Sequence, residues 1–457
     1  MAMLKRKFTD FLERFLREET DKILLVNGAR QVGKSYIIRY VGQQLFTHFV
    51  EINLKEDSEG ERIFADVKTT DDLYIRLSNY SESVLGRKED TLVFLDEIQS
   101  YPHLLTMLKF LRQEGRYRFI ASGSQLGIAL SQTPSVPMGS VTIEQMYPLD
   151  FEEFLWATGI SEDFIDKVRM AYEGRQSLDE GMHSLMMKRF QYYLLTGGLP
   201  EAVNAYLEDR NIIKVRKIQA DIHELYKLDA SQYDKEHKLT IRKIYDLIPS
   251  NLENKKKRIR YKDIEDKKGK TFSDYYDEFE YLTNSGIAIE VAAISNPKFP
   301  LVESEQKRLI KLYLNDIGIL TGILYDLNVN AVLQNERSVN LGTVYESVVA
   351  QELHAHGFRL HYYDNKQKGE VDFLIDDYER LSVLPIEVKS GKDYTQHSAL
   401  TKFLSTEDYG VRRAIVFSNE RKVTEKGGIE YIPIYYVMFL REYRPESAIL
   451  PPLELPG

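Results

Sequence analysis

The chain has 457 residues, contains no cysteine, and carries a formal net charge of −9 at pH 7. Without cysteine it can form neither disulfides nor zinc–thiolate sites nor a cysteine nucleophile, and this composition is typical of a reducing compartment. No apolar run approaches the ~18 residues of a membrane span, and the charged N-terminus lacks the apolar core of a signal peptide. We therefore expect roughly two to four domains, a cytoplasmic location and no membrane partner.

The most specific motif follows an apolar run at residues 23–26, which predicts a strand. It matches the pattern G-x-x-x-x-G-K-[ST] and comprises Gly28, Ala29, Arg30, Gln31, Val32, Gly33, Lys34 and Ser35. Its glycines let backbone N–H groups turn toward phosphates, Lys34 reaches the β- and γ-phosphates, and Ser35 offers a hydroxyl to Mg²⁺. Apolar residues recur at helical spacing from the position after Tyr36. The pattern predicts a site for ATP and Mg²⁺, with Tyr36 as a further contact.

A second apolar run, residues 91–95, ends in two carboxylates, Asp96 and Glu97. We call residues 28–35 the P-loop and the preceding run, residues 23–26, the P-loop strand. We expect the strand at residues 91–95 to lie beside the P-loop strand, so that Asp96 holds the Mg²⁺ shell. Glu97 is then placed to orient and deprotonate the attacking water. A further strand ends at Ser122, which we interpret as a sensor of the γ-phosphate. An Asp-Glu pair after a strand usually caps a helix, but the upstream P-loop favours catalysis.

Three regions follow one another along the chain. Residues 1–175 alternate strand-like runs (23–26, 49–52, 92–95 and 119–122) with helical patterns, which is typical of an α/β domain with a parallel sheet. Residues 176–335 are mostly helical, with a turn expected at Pro249, and end in a strand at 287–294 and a turn at 296–297. Helices followed by a hairpin suggest a winged helix. Residues 336–457 form a further α/β unit.

A local basic run interrupts this acidic chain. Between residues 251 and 270, nine Lys and Arg stand against four Asp and Glu, and residues 255–260 hold most of the density. Such a patch can bind a phosphate backbone, which predicts nucleic acid, specifically DNA, as a partner. A solvated loop with lysines at helix ends is an equally good interpretation of the run alone.

A second candidate site lies near the C-terminus. Residues i and i+2 of a strand share a face, so Glu370 would point with Asp372, and Glu387 with Lys389. If the two strands pair, the carboxylates could hold Mg²⁺ or Mn²⁺, and Lys389 could position a bound water. Upstream, Glu346 lies on an apolar helix face, where a carboxylate needs a partner such as a metal. An exposed, salt-bridged strand face is the alternative interpretation.

These motifs together resemble prokaryotic AAA-type ATPases whose second half is an uncharacterised nuclease-like domain. The resemblance is carried by residues 28–35, 95–99, 121–124, 147–154, 196–201 and 311–318. It implies ATP binding and hydrolysis, and it makes a homo-oligomer plausible. The order of Glu346, Asp372, Glu387 and Lys389 is similar to the PD-(D/E)XK nuclease superfamily, which implies a restriction-endonuclease-like fold for residues 336–457.

Two functions remain as hypotheses. The first is an AAA-type ATPase coupled to a C-terminal half that binds nucleic acid and cleaves it. The second is a regulatory ATPase that switches with nucleotide state and carries a catalytically inert nuclease-like scaffold. A third, weaker hypothesis is a DNA-binding regulator without turnover. Elsewhere, Asp150 and Glu153 have capping-box spacing, and we interpret them as the start of a helix, not as an acid–base pair.

Overall fold

The structure is a computed structural model, and it describes residues 3–18, 20–81, 85–132, 139–233, 238–254, 256–266, 269–334 and 341–442. Lys255, the first residue of the basic run, lies outside the described residues. In the part of the chain that is described, no helix combines the length and the apolar character needed to cross a membrane.

A five-stranded parallel sheet forms the centre of the N-terminal region. Its strands are β1 (Ile23–Asn27), β2 (His48–Asn53), β3 (Thr91–Asp96), β4 (Arg118–Gly123) and β5 (Val141–Gln145). They lie in the order β2-β3-β4-β1-β5. The four predicted strands are confirmed. The expectation that the strand of Asp96 lies beside the P-loop strand is wrong, because β4 pairs with both and separates them.

Helices cover both faces of this sheet, so β1 and β3 are buried along their whole length. The helices of this region are α1 (Lys7–Arg17), α2 (Lys34–Leu45), α3 (Leu54–Glu59), α4 (Thr70–Tyr80), α5 (Pro102–Glu114), α6 (Leu126–Gln132) and α7 (Phe151–Ala157). Helix α2 begins at the P-loop, as the sequence predicts, and buries Ile37 and Val41 against the sheet.

The middle of the chain is helical, as expected. Its helices are α8 (Glu162–Glu173), α9 (Glu180–Thr196), α10 (Pro200–Asp209), α11 (Ile212–Tyr233), α12 (Lys238–Leu252), α13 (Tyr261–Ile264), α14 (Tyr276–Asn284), α15 (Ile317–Tyr325) and α16 (Asn330–Leu333). The turn predicted at Pro249 is wrong, because Pro249 lies inside α12. Proline removes one helical hydrogen bond, but Asn251 and Leu252 are buried beyond it and hold the last turn in place.

The predicted winged helix is not confirmed. The hairpin of β6 (Ala288–Ile294) and β7 (Glu305–Leu314) belongs to an eight-stranded sheet with β8 (His361–Asn365), β9 (Gly369–Asp377), β10 (Ser382–Val388), β11 (Ala414–Ser418), β12 (Thr424–Lys426) and β13 (Ile429–Pro433). The strand order is β12-β13-β11-β10-β9-β8-β6-β7. Helices α17 (Leu341–Ala355) and α18 (Ser398–Leu404) pack against this sheet, α17 on β7 and β10 and α18 on β9. The predicted boundary at residue 335 therefore separates β6 from β8, which pair in parallel.

Helix α17 contacts the N-terminal region through a buried carboxyl group. Asp150 and Glu153 form the predicted capping box at the start of α7. The next backbone N–H, that of Phe151, donates to Glu352 Oε1 of α17 at 2.9 Å, and the hydroxyl of Tyr193 donates to the same oxygen at 2.9 Å. Burial, together with the nearby charge of Asp150, raises the pKa of Glu352 to about 8. At neutral pH this side chain therefore carries a proton in the folded protein.

The protonation of Glu352 predicts a fall in stability between about pH 6.5 and pH 8. In this window the folded protein holds a proton that the unfolded chain has lost, so the free energy of unfolding decreases as pH rises, by about 1.5 kcal/mol. Burial also lowers the pKa values of His223, His354 and His356 to about 4 and that of Lys34 to about 8, so these groups oppose the contribution of Glu352 at the two ends of this window. Chemical denaturation of the wild type and of Glu352→Gln across this range isolates the contribution of Glu352, because the other titrating groups are common to both. The free energy of unfolding of the wild type should fall with pH relative to that of Glu352→Gln, and equal slopes would contradict the assignment.

Candidate functional site

The P-loop surrounds the buried side chain of Lys34. Its ammonium donates to the carbonyl oxygens of Gly28 and Ala29, each at 2.8 Å. Gly33 precedes α2 with φ 96°, a backbone conformation that favours glycine. At Gly28, an added Cβ would lie 2.3 Å from the carbonyl oxygen of Met146. Burial lowers the pKa of Lys34 to about 8, although the charges of Glu97 and Asp96 oppose this shift.

Asp96 joins three segments of the site. Its Oδ2 accepts from the Ser35 hydroxyl at 2.6 Å, and its Oδ1 accepts from the Ser122 hydroxyl and, at 3.0 Å, from the backbone N–H of Glu97. Ser122 reaches it because β4 lies between β1 and β3. The oxygens of Ser35 and Asp96 suit a hard cation, so these are the residues that would hold Mg²⁺. The predicted role of Ser122 as a phosphate sensor stays a prediction.

Glu97 stands at the end of β3 in a left-handed conformation, with φ 53°. This backbone conformation is costly for a residue other than glycine, and residues that adopt it are often found at functional sites. Its Oε2 accepts from the side-chain amide of Gln99 at 2.5 Å. The charge of Glu97 raises the pKa of Lys34 against the larger effect of burial, so the carboxylate interacts electrostatically with the P-loop lysine.

A cavity of about 180 Å³ adjoins the P-loop on the side of α2. It is lined by Leu4, Arg6, Gln31, Gly33, Tyr36, Ile37, Pro200, Glu201 and Asn204. Arg6 holds the N-terminal segment against the loop, since its guanidinium donates to the carbonyl oxygens of Val32 at 3.1 Å and Tyr147 at 2.6 Å. Tyr36, which the sequence assigns to the site, is 43% exposed at the rim. The sequence did not assign Arg6 or the α10 residues Pro200, Glu201 and Asn204 to this site. The motif at residues 196–201 is a signal that could have pointed to α10.

The middle helices rest directly on the P-loop. Arg30 forms an ion pair with Asp229 of α11 at 2.8 Å, and its carbonyl oxygen accepts from the hydroxyl of Tyr226 at 2.9 Å. Gln125, which follows β4, donates to Asp229 at 3.2 Å. Nothing in the sequence pattern predicted these contacts, because they join residues 104 or more positions apart along the chain.

Two of the motifs that carry the family resemblance, at residues 196–201 and 311–318, meet at a buried carboxylate. Asp316 Oδ2 accepts from the backbone N–H of Gly198 at 2.6 Å. Gly197 adopts φ 72°, and a Cβ there would lie 2.2 Å from Asp316 Oδ1. Burial raises the pKa of Asp316 to about 6 despite these hydrogen bonds. The contact fixes the start of α10, where Pro200 lies beside Gly33.

The C-terminal candidate residues converge. Strands β9 and β10 pair antiparallel, and the backbone N–H of Val388 donates to Asp372 Oδ2 at 2.9 Å. The Lys389 ammonium donates to Glu387 Oε1 at 2.7 Å. Burial raises the pKa of Asp372 well above its usual range, and the neighbouring charges of Glu346 and Glu387 add to the shift. We call Glu346, Asp372 and Glu387 the acidic cluster.

Cations from the chain itself face the acidic cluster. Lys257 forms an ion pair with Glu346 Oε1, and the hydroxyl of Tyr313 donates to Glu346 Oε2 at 3.3 Å. Lys311, fully buried, lies 2.5 Å from Glu370. No sequence pattern assigned these three residues to the cluster, although alternation along β7 places Lys311 and Tyr313 on one face. Among the described residues, no group of three or more metal-ligating side chains is arranged to hold a metal ion.

The basic run also contacts this part of the molecule. Arg258 forms an ion pair with Asp364, and the ammonium of Lys256 lies 3.7 Å from the same carboxylate. Arg260 pairs with Asp263 at 2.8 Å within its own segment. Much of the positive charge assigned to nucleic acid is thus adjacent to acids of the same chain. Nucleic acid as a partner stays a prediction.

Comparison with known families agrees with the N-terminal site. Residues 20–155 match the family described as AAA domain. Residues 187–330 and 341–437 match two domains of unknown function, DUF8612 and DUF4143. No curated protein matches the sequence significantly. The P-loop, the Asp96 carboxylate and the parallel sheet therefore belong to an AAA-type ATPase domain. The nuclease-like character of the C-terminal region is not confirmed.

Solved structures give weaker similarities. The Walker-type ATPase PABY2304 of Pyrococcus abyssi is 16% identical with a TM-score of 0.44, and the match covers 70% of this chain and 95% of that chain. The Aeropyrum pernix ORC1 protein, solved in complex with DNA, is 14% identical with a TM-score of 0.30, covering 73% and 93%. The RuvB Holliday junction branch migration motor of Thermotoga maritima is 14% identical with a TM-score of 0.29, covering 62% and 89%. At these TM-scores the similarities support no argument about function.

Proposed function

We propose that the protein binds Mg·ATP at the P-loop and hydrolyses it. The observation that carries the proposal is the contact between Ser35 and Asp96, 2.6 Å apart across the end of β4, beside the buried ammonium of Lys34. A phosphate chain placed against the N-terminus of α2 would meet backbone N–H groups and one cation. The cavity rimmed by Tyr36 and Pro200 offers space for the base of the nucleotide.

The residues around the P-loop suggest the following chemistry. Glu97 accepts a proton from a water that attacks the γ-phosphorus, the bond from that phosphorus to the β–γ bridging oxygen breaks, and ADP and phosphate leave. Lys34 offsets negative charge on the phosphate oxygens as this bond breaks. Mg²⁺ held by Ser35 and Asp96 supplies further neutralisation of the phosphate charge when bound.

Replacing Glu97 separates binding from turnover. Glu97→Gln should lower the rate of phosphate release from ATP by about 10²–10⁴-fold, because the amide cannot take the proton. Its affinity for ATP, measured by calorimetry, should stay close to that of the wild type. Glu59→Gln makes the same charge change on an exposed surface and should leave the rate unchanged. Turnover that survives in Glu97→Gln would contradict the role given to this residue.

A second candidate function, cleavage of nucleic acid, has one observation in its favour. The four residues that resemble a PD-(D/E)XK site come together, and Glu387 Oε2 is buried without a hydrogen-bond partner. Three carboxylates are suitable ligands for a hard divalent cation. The present arrangement does not fit a bound metal ion, because donors of the chain itself face Glu346 and Asp372.

The second candidate predicts strand cleavage that depends on Asp372. At saturating Mn²⁺, the wild type should cleave one of a panel of single- and double-stranded DNA and RNA substrates, and Asp372→Asn should not. The amide keeps the size of the side chain and an acceptor for the N–H of Val388. Asp376→Asn, on the same strand β9, is the matched control and should retain cleavage. Absence of cleavage in the wild type favours the alternative of an inert scaffold.

A further inference from the structure

The acidic cluster contains a cation that comes from another part of the chain. Lys257 lies between α12 and α13, outside the eight-stranded sheet, and its side chain is only 17% exposed where it pairs with Glu346. Glu346 is 7% exposed. The charge of Lys257 also reaches Asp372, whose pKa it lowers against the larger effect of burial. A single ammonium thus interacts with two of the three carboxylates.

The backbone around Lys257 is held in an uncommon conformation. Its φ is 48°, in the left-handed region that residues other than glycine seldom occupy. On either side, Lys256 and Arg258 approach Asp364, and the Arg258 guanidinium lies 5.5 Å from the ring centroid of Tyr362. Strain of this kind persists only where surrounding contacts compensate for it. We call residues 256–260 the basic segment.

The other two lysines near the cluster are part of the sheet or directly continue it. Lys311 belongs to β7 and pairs with Glu370, while Lys389 follows β10 and pairs with Glu387. The backbone of both is held by the sheet, and their charges also reach Glu346 and Asp372.

Lys257 comes from a segment between helices. Its departure breaks its own ion pair with Glu346 and that of Arg258 with Asp364, and it displaces the buried Ile259. The exposed Lys256, 3.7 Å from Asp364, contributes little to holding the segment.

We propose that Lys257 is an internal cation that keeps divalent metal ions out of the acidic cluster. The ammonium neutralises Glu346 where a metal would bind, and the basic segment must move away before Glu346, Asp372 and Glu387 can act together as ligands. What the opened cluster then does rests on the second candidate function. The occupancy by Lys257 itself follows from charge and distance and is independent of the ATPase site.

Titration with Mn²⁺ in the absence of nucleotide tests the proposal. Isothermal calorimetry of Lys257→Ala should show an affinity for Mn²⁺ at least about tenfold higher than that of the wild type, equal to about 1.4 kcal/mol. Lys256→Ala is the control. It removes the same charge from the preceding residue, whose side chain is 67% exposed, and it should show no gain in Mn²⁺ affinity. Adding Asp372→Asn to Lys257→Ala should abolish the gain and thereby assign it to the acidic cluster.

Several outcomes would overturn the proposal. These are an Mn²⁺ affinity of Lys257→Ala equal to that of the wild type, a gain that Lys256→Ala reproduces, and a gain that survives Asp372→Asn. Circular dichroism and the melting temperature establish that each variant is folded, and Lys257→Gln, which keeps the aliphatic stem, replaces Lys257→Ala if the latter unfolds. A gain in Mn²⁺ affinity without any strand cleavage would support the internal cation and reject the second candidate function.

Discussion

The nucleotide site depends on the hydrogen bonding of one buried carboxylate, Asp96. A carboxylate that loses water must recover hydrogen bonds from the protein, or its charged form becomes too costly. Here the hydroxyls of Ser35 and Ser122 and the N–H of Glu97 provide them. These donors come from three different segments, so satisfying Asp96 also fixes where the P-loop, β3 and β4 end relative to one another. The Asp96 oxygens that hold these segments together are those that would bind Mg²⁺.

Buried carboxyl groups also join distant segments of the chain. Asp316 accepts from the loop that begins α10, Glu352 accepts from the start of α7, and Asp229 pairs with Arg30 of the P-loop itself. Removing one partner of such a contact leaves an unsatisfied buried group, which costs about 1–3 kcal/mol or more. The Arg30–Asp229 pair and the Tyr226 hydroxyl therefore connect the P-loop directly to α11.

The sequence predicted the parts of the fold and of the sites that depend on local patterns. Apolar runs predicted four strands of the first sheet, and the P-loop spacing predicted that a helix follows the loop at Lys34 and Ser35. Strand order, in contrast, depends on which runs pair, so the position of β4 between β1 and β3 could not be read from any one motif. For the same reason the β6–β7 hairpin was assigned to a wing. Lys257 shows what a local pattern cannot predict. It contacts Glu346, which lies 89 positions away along the chain.

The central claim is that the P-loop binds Mg·ATP through Lys34, and calorimetric titration of Mg·ATP tests it most directly. The wild type should bind, and Lys34→Ala should bind at least about tenfold more weakly, because a hydrogen bond to a charged group contributes about 1.5–3 kcal/mol. Lys22→Ala, an exposed lysine just before β1, should bind as the wild type does. No measurable binding by the wild type, or equal affinity in Lys34→Ala, would contradict the account.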